Sequence, residues 1–103
     1  MTSIVMQFKD LVFQPHKNGQ GVQAVATFNN NFEVSVIRTM FSYGGKSGLF
    51  EVAIIDKATG KVNSNTDITD DVLGWQDEGD IDKILAAVPQ MNSEGILPEG
   101  VTI

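Results

Sequence analysis

Two runs of alternating apolar and polar residues around an asparagine turn constrain the fold of this chain more than any other feature. The first run covers residues 22–28 and the second covers residues 32–37, and in both an apolar residue recurs at every second position. This period of two is typical of strands that bury one face. Asn29, Asn30 and Asn31 join the runs, and asparagine tolerates the left-handed backbone of tight turns. The pattern predicts a β-hairpin.

The rest of the chain indicates further strands and one helix. Residues 49–55 are almost continuously apolar, which is typical of a central strand covered on both faces. Asp80 is the expected N-cap of a helix whose apolar residues recur at helical spacing, namely Ile81, Ile84, Leu85 and Val88. We therefore predict an α+β fold, an antiparallel sheet of four or five strands with one main C-terminal helix packed on one face.

The length of 103 residues fits a single domain. Residues 1–62 consist mostly of predicted strands, residues 67–90 form an acidic segment with the helix, and residues 91–103 form an irregular tail in which residues 101–103 offer an edge strand. The chain has no cysteine, no apolar run long enough to span a bilayer and no signal-peptide pattern in its first ten residues. These features predict a cytoplasmic protein.

The negative charge is concentrated in the last third of the chain. Residues 1–66 carry four acidic and six basic residues, whereas residues 67–103 carry nine acidic residues and Lys83 alone, so the net charge changes from about +2 to −8. Such a surface repels the phosphates of nucleic acids and attracts basic proteins. Seven of the acidic residues lie close together in the sequence: Asp67, Asp70, Asp71, Asp77, Glu78, Asp80 and Asp82.

The glycine-rich segment at residues 43–48 contains the Gly-Lys-Ser triplet of a phosphate-binding loop. Met40 occupies the position of the first glycine of that motif, and a strand rather than a helix is predicted to follow. A mobile hairpin tip is therefore the favoured interpretation. The alternative is a loop that closes over a nucleotide or another small ligand, with these residues: Arg38, Tyr43, Gly44, Gly45, Lys46 and Ser47.

The sequence indicates no metal site, no cofactor and no catalytic residues. Residues 67–78 have the length of a calcium-binding loop, but Val72 stands where that loop requires glycine. The neighbouring carboxylates Asp70 and Asp71 leave a hydrolytic enzyme as the weakest hypothesis, since no nucleophile or base accompanies them. His16 is the only histidine, and a turn position between Pro15 and Lys17 favours an exposed side chain over a metal ligand.

The aromatic residues outside the predicted strands allow two interpretations. Trp75 is the only tryptophan and lies within the acidic segment. It either fills the joint between sheet and helix or, if exposed, acts as an interaction hot spot. Tyr43 and Phe41 in the glycine-rich segment are candidates for a contact patch of the same kind.

Two segments together resemble small uncharacterised proteins of tailed bacteriophages and prophages. Residues 40–53 contain an aromatic-Ser-Tyr-Gly-Gly loop that leads into a strand, and residues 67–75 contain an Ile-Thr-Asp-Asp-Val segment before the helix. The resemblance brings no catalytic or binding residues with it. It implies expression in the cytoplasm of a bacterial host.

These observations favour a non-enzymatic phage or mobile-element accessory protein that binds a host protein, such as a defence or nucleic-acid-handling protein. The partner is expected to have a basic surface, and neither nucleic acid nor a membrane is expected to bind directly. A homodimer paired through the edge strand 22–28 stays open. The predicted interaction surface comprises nine residues: Tyr43, Asp67, Asp70, Asp71, Trp75, Asp77, Glu78, Asp80 and Asp82.

Overall fold

A computed structural model describes residues 5–17 and 20–103, which form one antiparallel sheet and one α-helix. The strands are β1 (Gln14–Pro15), β2 (Gly21–Thr27), β3 (Phe32–Thr39), β4 (Phe50–Asp56), β5 (Lys61–Val62) and β6 (Leu73–Gln76), and the helix is α1 (Glu78–Ala87). Strands β1 to β5 are neighbours in chain order, and β6 pairs with β4 beside β5. The predicted α+β fold is confirmed. The sheet has six strands because the two-residue strands β1 and β5 also pair with it.

The hairpin around the asparagine turn is present as predicted. Strands β2 and β3 pair from Thr27 opposite Glu33 to Gly21 opposite Thr39. The N–H of Phe28 donates a hydrogen bond of 3.3 Å to the carbonyl of Phe32, which closes the turn. The alternation places one set of side chains in the core, and these are buried: Ala24, Ala26, Phe32, Val34 and Val36.

Helix α1 packs on one face of the sheet, and the core lies between the two. Val34 lies opposite Ile54 and Val36 opposite Val52 across β3 and β4, so both pairs face the helix. The four apolar residues that predicted the helix are all buried against this face: Ile81, Ile84, Leu85 and Val88. Burying each such side chain contributes roughly 1.5–3 kcal/mol to the free energy of unfolding.

The opposite face of the sheet is open in part, which corrects the expectation for β4. Ala53 and Ile55 point away from the helix and are half-buried, and Val25 on β2 is 52% exposed, although Ser35 on the same face is buried. The single α-helix of the described residues packs on the other face. The apolar run 50–55 therefore indicates a central strand without indicating that both of its faces are covered.

The predicted homodimer would pair through the outer edge of β2. Strand β1 pairs only with Val22 and Gln23, so within residues 5–17 and 20–103 the edge from Ala24 to Thr27 has no strand neighbour. Such an edge offers unpaired backbone groups to another strand. The homodimer stays a prediction.

Helix α1 begins three residues earlier than the sequence indicated. Asp77 is the N-cap, and its carboxylate accepts a hydrogen bond of 2.8 Å from the N–H of Asp80. The carboxylate of Asp80 in turn accepts a hydrogen bond of 3.0 Å from the N–H of Asp77. This reciprocal capping box satisfies two donors at the helix start. The prediction of Asp80 as the N-cap was wrong, because Asp80 is the third residue of the helix.

A 3-10 turn at Val88–Gln90 follows α1, the segment 91–103 after it is irregular, and residues 101–103 form no strand. It is attached to the acidic segment through Asp67, whose N–H donates to the carbonyl of Gly95 at 2.8 Å. The Asp67 carboxylate accepts a hydrogen bond of 2.9 Å from the N–H of Leu97. Where the chain is described, α1 is its longest helix at 10 residues, and no helix has the length and apolar character needed to cross a membrane.

Candidate interaction surface

The loop between β3 and β4, residues 40–49, is bonded directly to strand β6. The N–H of Trp75 donates a hydrogen bond of 3.1 Å to the carbonyl of Tyr43, and the N–H of Tyr43 donates to the Glu51 carboxylate at 3.0 Å. A Cβ at Gly74 would lie 2.4 Å from the Cβ of Tyr43, and one at Gly44 would lie 2.9 Å from the Cα of Trp75. Glycine is required at both positions because the two backbones approach so closely.

Side chains at the start of the loop form hydrogen bonds with its backbone. The hydroxyl of Thr39 accepts hydrogen bonds from the N–H groups of Phe41 and Ser42 at 3.1 and 2.9 Å. The Ser42 hydroxyl accepts a bond of 2.9 Å from the Thr39 N–H. Gly45–Ser47 then form a 3-10 turn. The glycine-rich segment thus has its own hydrogen-bonded structure, and the mobility expected from the sequence stays a prediction.

Four large apolar side chains on this loop and on β6 are exposed: Met40, Phe41, Tyr43 and Trp75, here called the aromatic surface. Phe41 is 76% exposed, Tyr43 61% and Trp75 60%. Trp75 therefore does not fill the joint between sheet and helix, and its role as an interaction hot spot stays a prediction. Exposed aromatic residues on a fixed backbone are typical anchors of protein interfaces.

Trp75 has a strained backbone as well as an exposed side chain. Its φ angle is +58°, the only positive φ at a non-glycine residue in the described ranges. This left-handed conformation costs a residue with a side chain roughly 1–2 kcal/mol relative to glycine. Bulky residues at such angles are uncommon and concentrate at functional sites.

Four of the predicted acidic residues accept hydrogen bonds from the backbone. Asp77 and Asp80 form the capping box of α1, and the Asp82 carboxylate accepts a hydrogen bond of 2.7 Å from the N–H of Phe8. Asp67 holds the C-terminal segment through Leu97. The Asp80 N–H, which donates to the Asp77 carboxylate, is the main reason that the pKa of Asp77 lies below its usual value. These four carboxylates therefore have roles in the fold.

The remaining three acidic residues of the predicted surface are Asp70, Asp71 and Glu78, and all three are exposed. One Asp71 oxygen accepts a hydrogen bond of 2.8 Å from the N–H of the next residue, Val72. Asp70 and Asp71 precede Trp75 in the chain and Glu78 follows it. The structure thus joins the backbone of Tyr43 directly to that of Trp75, and these three carboxylates are exposed on the adjoining segments, as are Asp67 and Asp77.

Of the six residues of the alternative ligand loop, Arg38 alone lines the cleft beside Phe50, and the loop stays a prediction. The guanidinium of Arg38 lies 5.4 Å from the ring centroid of Phe50 and lines this cleft together with Gly48. Lys46 and Ser47 are exposed in the 3-10 turn and do not line this cleft. Across residues 5–17 and 20–103, no three histidine or acidic side chains come close enough together to hold a metal ion.

Two features of this end of the sheet were not predicted from the sequence. Asp77 as the cap was identifiable, because an acidic residue at Asp77 with another three positions later is a capping-box pattern. The contacts of Phe8 and Phe13 with Phe50 were not identifiable, because they join segments far apart in the chain. No local pattern predicts which distant segment a half-buried ring will contact.

No protein-family model, no curated protein and no solved structure matches this chain. The geometry and charge of the surface are therefore the basis for a functional proposal. The resemblance to phage proteins stays a hypothesis.

Proposed function

We propose that this protein is a non-enzymatic binding protein that docks a basic partner protein on its aromatic surface. The observation that carries the proposal is Trp75, which is 60% exposed and has a φ of +58°. Glycine would relieve the backbone strain at this position, and an exposed indole contributes little to the core. Stability therefore does not account for a tryptophan here, whereas contact with a partner does.

The charge around the aromatic surface favours a basic partner. Asp70, Asp71 and Glu78 are exposed on the segments that flank Trp75. The last third of the chain has a net charge of −8, which repels phosphate groups and attracts clustered lysine and arginine side chains. Such complementarity mainly accelerates association and becomes weaker as salt screens the charges.

The proposed setting is the cytoplasm of a bacterium that carries a phage or a mobile element. Support for it comes from the resemblance of residues 40–53 and 67–75 to phage and prophage proteins. A host protein that handles nucleic acid fits the charge requirement, because it presents a basic surface that an acidic protein can occupy. Host defence proteins that bind nucleic acid belong to this class.

The test begins with capture of partners from bacterial lysate by three versions of the tagged protein: the wild type, Trp75→Ala and Val25→Ala. Val25 is the matched control, since it is an apolar residue of similar exposure, 52%, on the open face of the sheet. A partner that uses the aromatic surface is captured by the wild type and by Val25→Ala and is lost with Trp75→Ala.

The purified partner is then titrated by calorimetry at low and high salt. We expect Trp75→Ala to weaken binding by about 30-fold or more, the effect of removing a buried tryptophan anchor. We expect affinity to fall with salt, and the double variant Asp70→Asn, Glu78→Gln to reduce that salt dependence. Equal affinities for wild type and Trp75→Ala, or an affinity independent of salt, would contradict the proposal.

A further inference from the structure

A cleft of about 570 Å³ opens between the N-terminal segment, the end of loop 40–49 and the start of α1. Its volume lies in the range of roughly 300–1,000 Å³ that is typical of small-molecule sites. Its lining includes none of the four residues of the aromatic surface, so the two are distinct features.

Three phenylalanine rings form an apolar wall of the cleft, here called the ring cluster: Phe8, Phe13 and Phe50. The ring centroids of Phe8 and Phe50 are 5.2 Å apart, and those of Phe13 and Phe50 are 5.6 Å apart. Phe50 is buried, while Phe8 and Phe13 are half-buried. The ring cluster thus leaves apolar surface accessible to a ligand while it is anchored in the core.

Two basic side chains line the same cleft, although the whole chain has only seven basic residues. They are Lys9 and Arg38, and the Arg38 guanidinium is positioned over the ring of Phe50 at 5.4 Å from its centroid. A guanidinium in this arrangement is partly ordered by the ring and keeps its N–H donors for another partner. The cleft therefore combines apolar rings with two cations.

Two acidic residues also line the cleft, and their charge is offset in part. The Asp77 carboxylate already accepts a hydrogen bond from Asp80, and both Asp77 and Glu78 lie at the positive end of the α1 dipole. Glu78 is exposed and is the acidic residue most able to oppose a bound anion. Two cations and two carboxylates give the cleft a formal charge of zero, so a bound anion is favoured by Lys9 and Arg38 and opposed by Glu78.

We propose that the cleft binds a small amphipathic anion, with an aromatic or aliphatic body against the ring cluster and one carboxylate or phosphate group toward Arg38 and Lys9. The site differs from the ligand loop of residues 43–48 that the sequence suggested, and shares only Gly48 and Arg38 with that hypothesis. It does not depend on the proposed partner, because none of its residues belongs to the aromatic surface and only Glu78 is common to the carboxylates that flank Trp75.

The binding test is a titration of ¹⁵N-labelled protein followed by two-dimensional NMR. The probes are 1-naphthoate and 1-naphthyl phosphate, with uncharged 1-naphthalenemethanol as the matched control. We expect saturable shifts at the amides of Phe8, Leu49 and Phe50, and about fivefold tighter binding of an anion than of the alcohol. The tighter of the two anions identifies the preferred head group.

Three substitutions test the charge assignment. Arg38 and Lys46 are both exposed basic residues, but only Arg38 lines the cleft. We expect Arg38→Gln to weaken anion binding about fivefold, Lys46→Gln to leave it unchanged, and Glu78→Gln to strengthen it about twofold. The proposal is overturned by the absence of saturable shifts at the cleft, by equal binding of the anions and the alcohol, or by equal effects of Arg38→Gln and Lys46→Gln.

Discussion

The two groups of aromatic side chains at the β3–β4 end of the sheet are held in place by different interactions. The ring cluster of Phe8, Phe13 and Phe50 is fixed by contacts among the rings themselves and with the core. The rings of Tyr43 and Trp75 are exposed, and it is their backbones that are fixed, through one hydrogen bond and the close approach at neighbouring glycines. The burial of the ring cluster explains its presence by its contribution to folding. The exposed rings have no such explanation, which favours a role in binding.

The largest expected effect of a substitution is on the free energy of unfolding, and it distinguishes the ring cluster from the exposed rings. We expect Phe50→Ala to lower the free energy of unfolding by about 3–5 kcal/mol, because it removes a buried ring and leaves a cavity. Phe41→Ala removes an equally large ring that is 76% exposed, and it should change that free energy by less than about 0.5 kcal/mol. Urea denaturation of both variants measures the difference. Comparable losses would contradict the distinction between the two groups.

An intermediate effect is expected from the backbone packing that supports the aromatic surface. A Cβ at Gly45 would lie 1.8 Å from the carbonyl oxygen of Thr39, so Gly45→Ala has to displace the loop and should cost about 1–3 kcal/mol. Gly79→Ala is the control, since a Cβ there meets only Asp77 at 3.4 Å. In the first turn of α1 this change should stabilise the protein by about 0.5–1 kcal/mol. Thermal unfolding should show shifts of opposite sign, and shifts of the same sign would argue against this packing.

The smallest expected effect concerns the strain at Trp75. Trp75→Gly removes the strain of the left-handed backbone, which is roughly 1–2 kcal/mol. Glycine also increases the entropy of the unfolded chain, so we expect a net stabilisation of at most about 1 kcal/mol. Trp75→Ala keeps the strain and should be less stable than Trp75→Gly. Chemical denaturation of the pair measures this order. A loss of more than about 1 kcal/mol in Trp75→Gly would show that the indole stabilises the fold, which would remove the main argument for its role in binding.

The parts of the fold that follow from short-range patterns were predictable. Alternation over residues 22–28 and 32–37 predicted the hairpin, and the spacing from Ile81 to Val88 predicted the helix face. Both patterns depend on residues within one element, where the period of the backbone decides which side chains share a face. The open face at Ala53 and Ile55 was not predictable, because coverage depends on how many other elements the chain has to place there.

The candidate sites depend on long-range contacts, which short-range patterns do not predict. Tyr43 and Trp75 were identified as aromatic residues outside the predicted strands, but their exposure follows from a backbone contact across 32 residues of chain. The acidic residues were identified by composition alone, and the structure divides them between caps, attachments and exposed positions. Composition specifies how much charge a segment carries, whereas hydrogen bonding decides which of those charges are available to a partner.

By itself, the sequence determined the elements of this protein, because strand and helix periodicity, the asparagine turn and the concentration of acidic residues are all local properties. Only the tertiary structure decided the left-handed backbone of Trp75, the bond from Phe8 to Asp82 across 74 residues and the placement of Arg38 over Phe50. Each of these requires two distant segments to meet, and that meeting depends on how all the buried faces pack at once.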